Sequence, residues 1–107
     1  MVSEEFNRIV ERQAELCGVL LGTKGREYAP GFDRLSAFKK AAALQNVTQA
    51  QAAFGMLAKH LVSVSDMVND PDSYDLEKWD EKIGDSINYL LIIRAIVEEE
   101  ITCATSK

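Results

Sequence analysis

Proline is scarce in this chain, with Pro30 and Pro71 alone among 107 residues. So few helix breakers leave room for long helices across most of the sequence. Cysteine is equally rare: Cys17 and Cys103 are far apart and match no CxxC or zinc-ligand spacing. That spacing excludes a disulfide-stapled scaffold and a structural zinc site, so both read as reduced thiols of a cytoplasmic protein. Histidine occurs once, at His60, and no Ser/His/Asp or Cys/His constellation is readable. Basic charge is in deficit, 12 Lys and Arg against 17 Asp and Glu for a net charge of −5. That balance argues against a binder of duplex nucleic acid working through a broad basic surface. No apolar run reaches membrane-spanning length, because Tyr89 to Ile93 is flanked by Asn88 and Arg94. The opening Met-Val-Ser-Glu-Glu is neither basic nor apolar enough to act as a targeting segment.

What remains is 47% hydrophobic and 27% charged, an ordinary balance for one globular domain. The periodicity is helical almost throughout. Ser3 caps a first helix, with Phe6, Ile9, Val10, Gln13, Leu16, Cys17 and Leu20 recurring at three- and four-residue steps. Gly22, Gly25, Pro30 and Gly31 predict a loop from about Gly22 to Phe32. A second helix is expected over Asp33 to Gln45, facing inward through Leu35, Phe38, Ala42 and Leu44. Thr48-Gln49-Ala50-Gln51 is a capping box that starts a third helix, with Phe54, Leu57, Leu61, Val64 and Val68 as its inner stripe. A polar turn follows at Asn69 to Ser73. The last helix is expected from Leu76 to Thr102, with Trp79, Ile83, Ile87, Leu90, Ile93 and Val97 on its main face. The fold class is therefore all-α: a compact four-helix bundle-like domain with one Gly/Pro-containing loop and a long C-terminal helix. Apolar residues on more than one face of that last helix predict burial by several helices or by a partner chain, hence a homo-oligomer.

Two polar residues interrupt the most apolar stretch. Asp85 and Asn88 lie one turn apart within Ile83 to Ile93, and Glu81 shares their face. Buried polar groups without partners cost about 1–3 kcal/mol each. Asp85 therefore calls for a basic side chain, a metal ion or a ligand. Asp85 with Glu81 offers carboxylates to a hard cation such as Mg²⁺. Asn88 carries both a donor and an acceptor, which suits a nucleobase edge or a sugar hydroxyl. In the loop, Lys24, Arg26 and Arg34, followed by Lys39 and Lys40, form a phosphate-site candidate led by Lys24 and Arg34. Glu27 and Asp33 stand among them, able to pair with those cations or to join a metal. On the third helix, Lys59, Ser63 and Asp66 share a face, and Lys59 is the natural cationic partner for Asp85. His60 borders the apolar stripe and reads as a boundary residue.

Lys24-x-x-Glu27-Tyr28-Ala29, Leu57-x-Lys59 and Gly84-Asp85-x-x-Asn88-Tyr89 follow one another in order. This pattern resembles small helical phage and bacterial proteins of the nucleotide-modification-associated type. More distantly, it is similar to the all-α NTP pyrophosphohydrolases of the MazG and dimeric dUTPase group. The resemblance spans Lys24 to Arg94. It implies a helical site for a nucleotide, and the Asp of the family's ExxD motif falls on Asp85. The Glu of that motif is replaced by Lys82, with Glu81 adjacent, and the stretch Lys59 to Ser63 holds no counterpart of the family's ExxE. Lysines at such positions favour direct binding of phosphates over binding through Mg²⁺.

Three functions are compatible with these residues. One is a (d)NTP pyrophosphohydrolase with Glu27, Glu81 and Asp85 as Mg²⁺ ligands. Another is a non-catalytic nucleotide-sequestering module, in which Lys24, Arg34 and Lys59 hold phosphate while Asn88 and Tyr89 contact base or sugar. The third is a structural or adaptor bundle whose polar residues satisfy one another.

Overall fold

A computed structural model describes residues 1–27 and 31–105, with side chains described for all of these except 19, 20, 23–27, 104 and 105. Four helices account for nearly all of them: α1 (Ser3–Glu27), α2 (Ser36–Gln45), α3 (Gln49–Asn69) and α4 (Leu76–Thr105). No strand occurs among the described residues. The all-α expectation is met, and the long C-terminal helix is three residues longer than expected.

Local chemistry explains the boundaries. The capping box at the start of α3 is formed in full: Thr48 Oγ1 accepts the Gln51 N–H at 3.1 Å, and Gln51 Oε1 accepts the Thr48 N–H at 2.9 Å. At the end of α2, Asn46 adopts φ 55°, and Val47 N–H returns to the Ala42 carbonyl at 3.0 Å. α2 begins at Ser36, later than expected, because Asp33 is occupied in a turn. Its carboxylate accepts the Leu35 N–H at 3.0 Å and its carbonyl accepts the Ser36 N–H at 3.0 Å. α1 differs more. It continues through Gly22 and Gly25 to Glu27, where a loop was expected from Gly22. A helical glycine costs only about 1 kcal/mol relative to alanine, so two of them weaken a helix without ending it.

α3 and α4 form an antiparallel hairpin, with Ala53 in one core cluster with Ile96 and His60 level with Tyr89, one turn from Asp85. α2 lies on α3 and reaches α4 through Phe38 and Lys39. α1 packs on α4 alone among the described residues. There Arg12 and Gln13 meet Asp80 while Cys17 meets Gly84, so the two helices run parallel. The centre of the core is Phe38, Ala53 and Ile96, ringed by Leu35, Met56, Tyr89, Ile92 and Ile93. The radius of gyration is 16.4 Å, against about 13 Å for a compact chain of near this length.

The buried face of α3 is not the expected one. Ala52, Ala53, Leu57 and Met67 are buried, whereas Phe54, Leu61 and Val68 are 59%, 44% and 61% exposed. Two stripes compete on this helix and share Leu57 and Val64. The one containing Ala53, His60 and Met67 faces α4, because Ala53 lets the two helices approach closely over Ile96. The main face expected for α4 is met in part: Trp79, Ile83, Ile87 and Ile93 are partly buried, whereas Leu90 and Val97 are exposed. Leu44, expected to face inward on α2, is also exposed.

Candidate functional site

A cleft lies beside α2 over the α3–α4 hairpin. Its volume is about 540 Å³. Leu21 closes one end; Leu35, Ala37 and Phe38 of the α2 segment form one wall; Leu91, Ile92 and Ala95 of α4 form the floor. Arg34, His60, Asp85, Asn88 and Tyr89 supply the polar and aromatic groups. Four of these five were expected at a site from sequence, and the fold brings them together from a loop and one helix face.

Each group has a defined setting. Asp85 Oδ2 lies 3.6 Å from His60 Nδ1, both side chains being partly buried. The expected partner, Lys59, is exposed and lies outside the cleft wall, so the pairing of Asp85 falls to its neighbour in sequence. The reason is the rotation of α3 described above, which turns His60 toward α4 and Lys59 away. The His60 ring stacks on Tyr89, with centroids 5.0 Å apart and planes 29° apart. Phe38 meets the same Tyr89 edge-on at 6.4 Å. Arg34 donates from Nη2 to the Leu21 carbonyl at 3.3 Å, which ties the loop guanidinium to the end of α1.

Asn88 is the outlier. It is only 6% exposed, and its Oδ1 is buried with no hydrogen-bond partner among the described residues. The neighbouring Ser86 avoids that cost by donating back to the Lys82 carbonyl at 3.1 Å. Asn88 and Asp85 also line a smaller cavity of about 230 Å³ between α1 and α4, together with Gln13, Leu16, Cys17, Asp80, Glu81 and Gly84.

The remaining expected residues divide. Glu81 is exposed and pairs with Lys78 at 3.6 Å on the solvent side, bordering the smaller cavity only. Lys24 and Glu27 fall on the last turns of α1, and their side chains lie outside the described residues, as does Tyr28 altogether. Among the described residues no group of three His, Cys, Asp or Glu side chains gathers as a metal site. Asp33 and Lys39, both near the phosphate-site candidate, bind each other instead, and Lys39 also reaches Glu99 at 3.0 Å. The hydrogen bond from Lys39, aided by the Leu35 amide, holds the Asp33 carboxyl below its ordinary value of 3.8. The same bond, then that to Glu99, holds the Lys39 ammonium above 10.5.

Sequence reasoning missed His60 as the group facing Asp85, and it missed the apolar wall from Leu35 and Phe38. A signal for His60 existed in the alternative stripe Ala53, Leu57, His60, Val64 and Met67, spaced four, three, four and three. No comparable signal marked the wall, which depends on how α2 is laid across α3. Compared with protein-family models, with curated proteins and with solved structures, the chain matches none. No helix among the described residues is long and apolar enough to cross a membrane.

Proposed function

We propose that this protein binds a phosphate-bearing small molecule with a planar heterocycle, a nucleotide or a close analogue, in the cleft between α2, α3 and α4. The observation that carries this reading is Asn88: a buried amide oxygen without a partner among the described residues, set in a cleft with largely aromatic and apolar walls. An unsatisfied buried acceptor costs about 1–3 kcal/mol, which a ligand N–H recovers on binding. The Tyr89 and His60 rings and Phe38 offer stacking and edge contacts to a flat heterocycle. Arg34 at the rim suits a phosphate, which a guanidinium grips through two parallel hydrogen bonds. Asp85, with His60 3.6 Å away, offers a carboxylate to a sugar hydroxyl or an exocyclic amine. The cleft volume falls in the range of small-molecule sites.

A thermal-shift series over nucleoside mono-, di- and triphosphates, with and without Mg²⁺, tests this directly. A ligand at 100 times its dissociation constant stabilises by about 2.7 kcal/mol, which raises the melting temperature by about 10 °C or more. Arg34→Ala is expected to weaken nucleotides about tenfold while leaving the corresponding nucleosides unchanged, since a hydrogen bond to a charged group is worth about 1.5–3 kcal/mol. No shift with any nucleotide or nucleoside refutes the reading. Pyrophosphate release from dNTPs with Mg²⁺ separates the modes of action: tight binding without release marks sequestration, and release lost in Asp85→Asn marks hydrolysis.

A further inference from the structure

Two regular apolar stripes face the same side of the α3–α4 hairpin, a side that no other helix covers among the described residues. On α3, Phe54, Leu61 and Val68 recur every seven residues, with Leu57 and Val64 between them. This three-four alternation is the pattern of a helix-packing seam. On α4, Ile83, Leu90 and Val97 recur every seven residues as well. Phe54, Leu61, Val68, Leu90 and Val97 are all exposed. With Ala53 against Ile96 in the antiparallel register, Phe54 is level with Ala95, and Val97 stands two residues, about 3 Å, further along. Asn88 and Val97 are nine residues apart, two and a half turns at 100° per residue, so this face looks away from the cleft.

We infer that this face is the contact between two copies of the chain, each contributing its α3–α4 hairpin to a shared four-helix core. Three observations select a second copy as the occupant. First, the face is free of net charge although the chain carries −5. The ionisable residues of α3 are Lys59, His60 and Asp66, none of which lies on the seam; of those bordering the α4 stripe, Arg94 and Glu98 pair at 3.6 Å and Lys82 and Glu100 are opposite in sign. Two copies therefore meet without repulsion between like charges. Second, large and small residues alternate along α3 as Phe54, Ala58, Leu61, Ser65 and Val68. Ridges of one copy then seat in the gaps of the other about a two-fold axis. Third, the extent fits. The 21 residues of α3 span about 32 Å, and two helices side by side are about 20 Å wide. That flat footprint, roughly 600 Å² before side-chain relief is counted, approaches the roughly 800 Å² per partner of a stable interface. Apolar patches of about 300–600 Å² are the largest that typical monomers carry and often mark interaction sites.

The test is the mass in solution of the full chain by light scattering and sedimentation, from about 1 to 100 µM. Twice the 11.9 kDa chain mass is expected. The double variant L61E/L90E is expected at the single-chain mass with its helical circular-dichroism signal retained, and Lys59→Glu on the opposite face is expected to stay dimeric. A cysteine arm tests the same contact without disturbing the core. In a Cys103→Ser background, Ser65→Cys should cross-link two chains under mild oxidation, and Lys59→Cys should not. A single-chain mass for the wild type throughout the range overturns the inference, even if the face binds a different protein. So does a dimer mass that survives in L61E/L90E, or cross-linking equal at both cysteine positions.

Discussion

Asn88 holds a carbonyl oxygen that is buried and has no hydrogen-bond partner among the described residues. Such a group is a cost in the empty protein and an asset in the bound one. Replacing it with a near-isosteric apolar side chain removes the unsatisfied acceptor, so Asn88→Leu is expected to leave the unliganded protein as stable or to raise its stability by up to about 1–3 kcal/mol. The same variant should lose the nucleotide-induced thermal shift. Urea unfolding with and without nucleotide reads both effects. A variant that unfolds easily would mean that the amide is holding the core together, contrary to the role assigned to it. Gly84 is a second residue whose absence of side chain matters. A Cβ there would stand 3.3 Å from Gln13 Nε2 and 3.9 Å from Cys17 Sγ, at the seam where α1 meets α4. Gln13 uses that nitrogen to donate to the Asp80 carbonyl at 3.2 Å. Gly84→Leu would gain about 1 kcal/mol of helix propensity but overpack the seam, at a cost of about 1–3 kcal/mol plus the hydrogen bond. A net loss is expected, read as a lower urea midpoint; an unchanged or higher midpoint would show that α1 can shift outward freely.

At the scale of elements, α2 is the wall of the cleft and is held at its start by charge. Lys39 binds Asp33 before the helix and Glu99 on α4. The pH dependence follows from the two shifts. Asp33 has its folded-state value lowered, so its contribution is fully present above the ordinary 3.8 and is lost as pH falls through the lowered value. Lys39 has its value raised, so its contribution is fully present below 10.5 and is lost as pH rises through the raised value. The melting temperature of the wild type relative to Lys39→Met should therefore show a plateau between those limits and decline outside both. A difference independent of pH would mean that Lys39 acts through its aliphatic stem alone. These are exposed charges, and the effect should shrink in high salt. α1 is held differently, by Arg12, Gln13 and Cys17 on the first turns of α4. In the parallel register those contacts set, Ile9 is level with Leu76 and the residues of α1 before it extend past the beginning of α4, which leaves Phe6 exposed.

For the whole molecule, the arrangement separates two surfaces. The cleft opens on the α2 side of the hairpin, and the apolar face proposed for a second copy lies on the other. Association through that face would leave ligand access untouched. It would also make the melting temperature rise with protein concentration, because mass action favours the assembled state. A tenfold dilution series in differential scanning calorimetry checks this, and a concentration-independent melting temperature would count against an assembled folded state. A hairpin with one open apolar face is a half-core, and the elongated outline fits a unit whose long axis is set by α4. That helix alone spans about 45 Å of the 50 Å length.

Helix number, helix type and most boundaries were written in the sequence, because periodicity, the Thr48–Gln51 box and the shortage of proline act locally. So were four residues of the cleft: Arg34 stood out as a loop cation, and Asp85, Asn88 and Tyr89 stood out as polar groups in an apolar helix. Which way α3 turned was not legible. Its stripes share Leu57 and Val64, and the larger side chains favour the stripe that the chain leaves exposed. Tertiary packing chose the other, with Ala53 and Ile96 fully buried together in the core. That one rotation gave Asp85 its partner in His60, sent Lys59 to solvent and left Phe54, Leu61 and Val68 outside. A sequence determines what each helix can bury; only the fit between helices decides which of two good faces is buried first.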